Sequence, residues 1–162
     1  MARRVDGLEL KIPPALAALL VLLAMRGAAR WSPPLLMLAG PADAVGTVLM
    51  VVGAGFAVAG VWQFRRHATS VDPMRPERAS QLVDRGVFAI SRNPMYVGFV
   101  TIVLGAAFVF DALLALGGPP LLAAWLHRFQ VLPEERRLRE RFGPAFDTYC
   151  RRVPRWLGRP RR

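Results

Sequence analysis

The chain offers few of the residues that usually announce chemistry. Cys150 is its single cysteine among 162 residues, which excludes an intrachain disulfide and any cysteine cluster for metal. His67 and His127 are its two histidines; they are too scattered for a metal centre, and each reads as an interfacial polar residue. No Ser–His or Cys–His pairing marks a nucleophile, and no strand–GxGxxG–helix unit marks a soluble nucleotide fold. Negative charge is scarce: 11 acidic residues against 22 basic ones leave a formal charge of +11. The surplus arginines have no separate soluble domain to display them, so nucleic acid is not the expected partner. No internal repeat or low-complexity stretch interrupts the chain, and its length suits one domain over residues 1–162.

What the chain has in quantity is apolar sequence, 54% of its residues. Four stretches approach the roughly 20 residues that cross a bilayer: 12–29, 44–64, 94–110 and 112–132. The second and third contain no charge, whereas transporters usually place ionisable groups inside their spans. Asp111 alone separates the last two, which predicts a tight helical hairpin, and Gly117-Gly118-Pro119-Pro120 predicts bent or loosened first turns in the fourth. Pro13-Pro14 and Arg26 argue for a retained first span over a cleaved signal. Arginines crowd the N-terminus, the 65–93 connection and everything after Arg128, while the third connection has none. The positive-inside rule then places both termini and the 65–93 loop in the cytoplasm, with Trp31 in the far-side aromatic belt. An all-α integral protein of about four spans follows, bacterial inner membrane being the expected location, with membrane lipids as neighbours.

Polar clusters stand where two spans meet that face. Ser91-Arg92-Asn93-Pro94-Met95-Tyr96-Val97-Gly98 opens the third, and Pro133-Glu134-Glu135 closes the fourth. Asn93-Pro94 reads as a helix cap followed by proline at the first position. Free amides there, with Arg92 beside them, make a place for an anionic group, and Tyr96, a turn inside, could stack on a planar ligand. Glu134, Leu138 and Phe142 share one helix face by their spacing, which predicts Glu134 packed and Glu135 paired with Arg139 in water. A salt bridge from Glu134 to Arg92 or Arg128 is the structural alternative to a ligand there. Asp43 reads as the cap of the second span. Gly143-Pro144 should end one helix and start another, after which Phe146, Tyr149 and Val153 continue an amphipathic C-terminal segment. Apolar residues of the 65–93 loop are expected to fold back on the protein.

From about Arg65 to Leu157 the chain resembles the isoprenylcysteine carboxyl methyltransferase and phospholipid methyltransferase group of membrane enzymes. Leu82-Val83 with Gly86-Val87-Phe88, then Arg92-Asn93-Pro94-Met95-Tyr96-Val97-Gly98, then Glu134-Glu135, Leu138, Phe142-Gly143, Tyr149 and Arg152-Val153-Pro154 follow that group's order and spacing. The resemblance implies S-adenosylmethionine at the cytoplasmic face and methyl transfer to a lipophilic or lipid acceptor, without a metal and with no protein partner indicated. It implies cofactor contacts at Ser80, Gln81, Leu82, Val83, Phe88, Arg92, Asn93, Pro94, Met95, Tyr96 and Glu134, from elements 65–93 and 133–157. Glu134 and Arg128 are the candidate catalytic residues. Departures are informative: Phe88 and Phe146 stand where the group usually has tyrosine. Gln130 stands where prenylcysteine enzymes often carry arginine, which makes Gln130 a candidate substrate contact and points to a neutral or amine-bearing acceptor, because glutamine lacks the charged fork a carboxylate prefers. A carboxyl O-methyltransferase and a non-catalytic four-helix protein are the alternatives.

Overall fold

The computed structural model describes residues 6–35, 39–66 and 81–158; Ser80, His67 and the rest of the 67–80 connection lie outside them. Among the described residues every regular element is helical. Helix α1 is Pro14–Ala28, extended by a 3₁₀ turn, Ala29–Trp31. Helix α2 is Ala39–Arg66 and α3 is Pro94–Val109. The fourth apolar stretch is a succession of segments: a 3₁₀-helix Leu113–Gly117, α4 Gly118–Leu126, a π-helical turn His127–Val131, and α5 Leu132–Phe142. The double glycine and double proline thus do loosen its beginning, and helix continues past Leu132 to Phe142, ending at Gly143-Pro144 as expected. Helix α6, Pro144–Arg152, follows a reversal at Gly143, whose φ of 49° needs the freedom of glycine.

Two helices, Pro14–Trp31 and Pro41–Arg66, are long and apolar enough to cross a membrane; Pro94–Val109 is apolar but shorter. Their outward faces carry Leu19, Leu20, Leu23, Val48, Val51 and Val58, all exposed. Such a continuous apolar exterior suits lipid rather than water. Asp43 does not cap α2: the helix starts at Ala39, because Pro41 fits a first turn whose N–H groups lack partners anyway.

Helices α2 and α3 touch backbone to backbone. A Cβ on Gly53 would lie 2.6 Å from the Gly98 carbonyl oxygen, and one on Gly98 would lie 2.5 Å from that of Gly53. Gly46 and Gly105 repeat the arrangement at 2.6 and 2.5 Å. Glycine at seven-residue intervals on both helices lets them approach closely, the usual means of helix association in lipid. The contact continues to the cytoplasmic end as the sequence reading orients it: a side chain at Gly60 would meet Met95, one at Gly86 would strike Gln63, and the Phe64 and Phe88 rings lie 4.8 Å apart. The end of α2 therefore fixes both the start of α3 and the segment before it.

Helix α1 packs on α3 and α4 through Ala17, Ala18 and Met25, joining a core that includes Val103, Ala107, Leu122, Leu126 and Val131. At the other connection, Asp111, at φ 44°, accepts the Leu35 amide through Oδ1 at 3.0 Å. A second apolar cluster joins Phe146, Tyr149 and Val153 to Leu82, Leu138, Phe142 and Cys150. The C-terminal stripe and the fold-back of residues 81–90 are thus as expected, with Val83 and Phe88 buried.

Candidate functional site

The polar sequence before α3 and the acidic pair after the π-turn meet, as their matching ends suggested; Glu134 turns to protein, as its helix face predicted, but Glu135 is not left in water with Arg139. Glu135 is itself buried, at 6% exposure. Its Oε1 accepts from Arg92 Nη2 at 2.7 Å and Arg155 Nε at 2.9 Å, and its Oε2 from Arg155 Nη2 at 2.6 Å. Burial alone would raise its carboxyl, but the hydrogen bonds and charges of Arg155 and Arg92 hold it below the ordinary value. Arg139, its expected partner, pairs with Asp147 at 2.8 Å. Helical phase gives the face of a residue but not what covers it; here the tail after α6 folds over the Glu135 face.

That tail is stitched to the start of α3. Arg92 Nη1 donates to the carbonyls of Cys150 and Val153 at 3.0 and 2.9 Å, satisfying the end of α6, and the Arg92 amide donates to Pro154 at 2.9 Å. Asn93 occupies the cap position of α3 without capping it. Its Nδ2 donates instead to the Arg155 carbonyl at 2.8 Å, while the Ser91 hydroxyl accepts the Asn93 amide at 3.0 Å. Arg92 and Asn93 thus hold the C-terminal segment in place.

Glu134 faces the other way. Its Oε1 accepts the Tyr96 hydroxyl in a short hydrogen bond, and neither Arg92 nor Arg128 bridges it: Arg92 binds Glu135 and Arg128 binds Glu9. Glu134 lies two residues beyond the fourth apolar stretch. Burial, reinforced by the nearby Glu135 charge, pushes its carboxyl from an ordinary 4.5 up to about 8, against the opposing pull of the Tyr96 hydrogen bond. With that value the carboxyl is mostly protonated near pH 7, and a cation brought beside it would favour the ionised form.

The remaining candidates divide. Pro94 is buried, and Met95 packs against Gly60. Phe88 is buried, and its carbonyl accepts the Tyr149 hydroxyl at 2.8 Å; the aromatic ring is kept at position 88 while the missing hydroxyl is irrelevant to that bond. Gln81 is exposed and Leu82 half-buried. Arg128 is turned toward the N-terminal segment, where Glu9 bridges it to Arg136. Gln130 is fully buried, its Nε2 donating to the Ile12 carbonyl at 2.7 Å.

Sequence reading missed Arg155 and Glu9. Both partner residues far along the chain, so no local period could reveal them. Among the described residues no three His, Cys, Asp or Glu side chains gather to hold a metal ion.

The sequence model of one family, described as phospholipid methyltransferase, matches residues 42–145. That range contains all but the first three residues of α2, the motif opening α3, the Tyr96–Glu134 pair and the π-turn. No curated protein and no solved structure matches the chain.

Proposed function

This chain belongs to the phospholipid methyltransferase family, and from that premise we propose that it transfers a methyl group from S-adenosylmethionine to a lipid-like acceptor at the cytoplasmic face of the membrane. Methyltransferases of this family generally use that cofactor. The observation that carries the reading is the Tyr96–Glu134 pair: a carboxyl held near neutrality by burial, hydrogen-bonded to a phenol, at the meeting of two sequence motifs.

The residues present fit the group. S-adenosylmethionine carries a sulfonium and an ammonium, and a cation placed beside Glu134 favours the ionised carboxylate that burial opposes. When bound, the cofactor supplies an electrophilic methyl on an excellent leaving group, so the protein needs no nucleophile of its own. Glu134 supplies countercharge, and Tyr96 orients that carboxylate through its hydroxyl. The Arg92–Glu135–Arg155 network fixes the start of α3 and of α5 relative to each other, which holds Tyr96 opposite Glu134. The buried apolar surroundings strengthen charge interactions and limit water. Four spans with both termini and the 65–93 connection in the cytoplasm would bring the acceptor to this mouth from the bilayer.

A prenylcysteine-type carboxylate is the less favoured acceptor, since Arg128 is engaged by Glu9 and Gln130 by Ile12. The reading is tested by calorimetry of detergent-purified protein with S-adenosylmethionine. Saturable binding that falls about ten-fold or more in Glu134→Gln is expected, as for loss of a charge-assisted contact. Undetectable binding by a folded wild type would defeat it.

A further inference from the structure

Leu126 and Val131 are five residues apart, yet both are fully buried in the same core cluster. In an unbroken α-helix that separation turns two side chains about 140° apart. The π-turn His127–Val131 removes the conflict. The Leu132 amide donates to the His127 carbonyl, five residues back, so one residue is absorbed and the angle falls to about 40°. Everything after the turn is re-phased by about 100° relative to α4. Counted straight through from α4, Pro133 would stand where Glu134 now meets the Tyr96 hydroxyl. Glu134 would stand where Glu135 now meets Arg92 and Arg155. The π-turn therefore decides which side chain faces Tyr96.

Such a turn needs partners from outside, because it leaves more carbonyls without a donor in the helix than an α-turn does. The N-terminal segment supplies them at residues 128–130. In an α-helix the Phe129 carbonyl would accept from residue 133, but Pro133 has no amide. The Leu10 amide donates to it instead, at 3.0 Å. Leu10 is buried with φ 55°, a left-handed backbone that leucine rarely adopts unless the surrounding structure holds it there. One residue along, Gln130 Nε2 donates to the Ile12 carbonyl at 2.7 Å. Glu9, its side chain 14% exposed, bridges Arg128 and Arg136. Those arginines are eight residues apart, which is about 80° around an unbroken α-helix but only about 20° with one residue absorbed. The bridge suits the aligned pair that the π-turn creates.

We propose that the segment 9–12 is the positioning element of the site: docked on residues 128–130, it holds the π-turn open and so keeps Glu134, rather than Pro133, opposite Tyr96. Glu9 and Leu10 are its positioning residues, acting on the cofactor through the turn. The inference rests on reading Tyr96 and Glu134 as the cofactor site, and it adds what sets their register.

The test uses the full chain in detergent and two readouts, an interspin distance and S-adenosylmethionine affinity. With Cys150 replaced, spin labels are placed in pairs at Leu121 and Glu140 and at Leu121 and Arg141, exposed positions on α4 and α5. Neighbouring residues on α5 point about 100° apart, so re-phasing must move at least one of the two distances, each label swinging by on the order of 8 Å. Leu10→Pro removes the donated amide and cannot adopt a positive φ. Glu9→Gln takes the charge from the bridge, whereas Glu9→Asp keeps it. Leu10→Pro and Glu9→Gln are expected to shift a distance by several ångströms and to weaken S-adenosylmethionine binding by about ten-fold or more. Glu9→Asp should stay close to wild type. Adding Glu134→Gln to either variant should lower affinity no further, because Glu134 has already left the cofactor; independent contributions would add. Wild-type distances in Glu9→Gln or in a folded Leu10→Pro would overturn the inference, as would losses that add in the double variants. The distances need no cofactor, so failure of wild type to bind S-adenosylmethionine would strike the methyl-transfer reading while the register is still judged by itself.

Discussion

Glu134 ties cofactor affinity to pH in a way that can be worked out in advance. Its carboxyl is pushed up to about 8 in the folded protein, chiefly by burial. If the cationic cofactor binds the ionised form, apparent affinity scales with the ionised fraction: about half at pH 8, about one part in eleven at pH 7 and about one in a hundred at pH 6. Affinity should therefore rise by roughly 90-fold between pH 6 and pH 9, then level off. Near pH 7, binding should release close to one proton, visible as a dependence of the calorimetric heat on the ionisation enthalpy of the buffer. Glu134→Gln removes the titrating group, and because the titrations of the cofactor itself are common to both proteins, the difference between the two curves isolates Glu134. Tyr96→Phe removes the hydrogen bond that lowers this carboxyl, so the rise should move to higher pH. The linkage has a second consequence with a definite sign. A carboxyl raised on folding favours the fold fully below its unfolded value of 4.5, and loses that contribution as pH climbs through about 8. Cofactor-free protein should thus become less heat-stable from pH 5 to pH 9, with Glu134→Gln flattening the trend. An affinity that is level from pH 6 to pH 9, or a slope that survives in Glu134→Gln, would refute the reasoning.

Other outcomes follow from the same geometry. Glu135→Gln should destabilise the protein by about 3 kcal/mol, because it strands Arg92 and Arg155 in a largely buried network; thermal unfolding in detergent at neutral pH measures this, and a wild-type midpoint would contradict it. The stabilisation from Glu135, whose carboxyl is depressed, should be full above about 4.5 and be lost progressively as pH falls from there through the lower folded value. Gly53→Ala should cost roughly 1–3 kcal/mol by forcing α2 off α3, whereas Gly55→Ala, which meets nothing within 4 Å, should be tolerated; equal effects on unfolding would count against the close backbone contact. With Cys150 replaced, cysteines at Ser32, Ala79 and Gly158 should react with an impermeant reagent in intact cells only at Ser32, and labelling at Ala79 would overturn the topology.

Much of the fold was legible because it rests on local chemistry. The apolar stretches, the loosened start at Gly117-Gly118-Pro119-Pro120 and the break at Gly143-Pro144 each depend on residues adjacent in sequence. The α2–α3 contact was also written there, as glycines 46, 53 and 60 against 98 and 105, but a seven-residue glycine interval has meaning only once two helices are known to be partners. The meeting of the two motifs was legible, but not which of their residues pair with which. Glu134 and Tyr96 come from the two motifs expected to converge. That Glu135 is covered instead of lying in water was decided by Arg155, twenty residues beyond it and brought back by the reversal at Gly143. Asn93 donates to the same returning segment instead of capping its helix, since a capping residue will bond a nearer carbonyl when tertiary structure supplies one. The π-turn had no signal at all: it depends on the N-terminal segment docking on residues 128–130.

The most direct measurement is transfer itself. Purified full-length protein is incubated with S-adenosylmethionine labelled in its methyl group and a total lipid extract from bacterial membranes, and label is counted in the organic phase. Methyl transfer at the Tyr96–Glu134 site requires time-dependent label in lipid with wild type and its loss in a folded Glu134→Gln protein. Label that never exceeds the protein-free background, or that accumulates equally with Glu134→Gln, would contradict it.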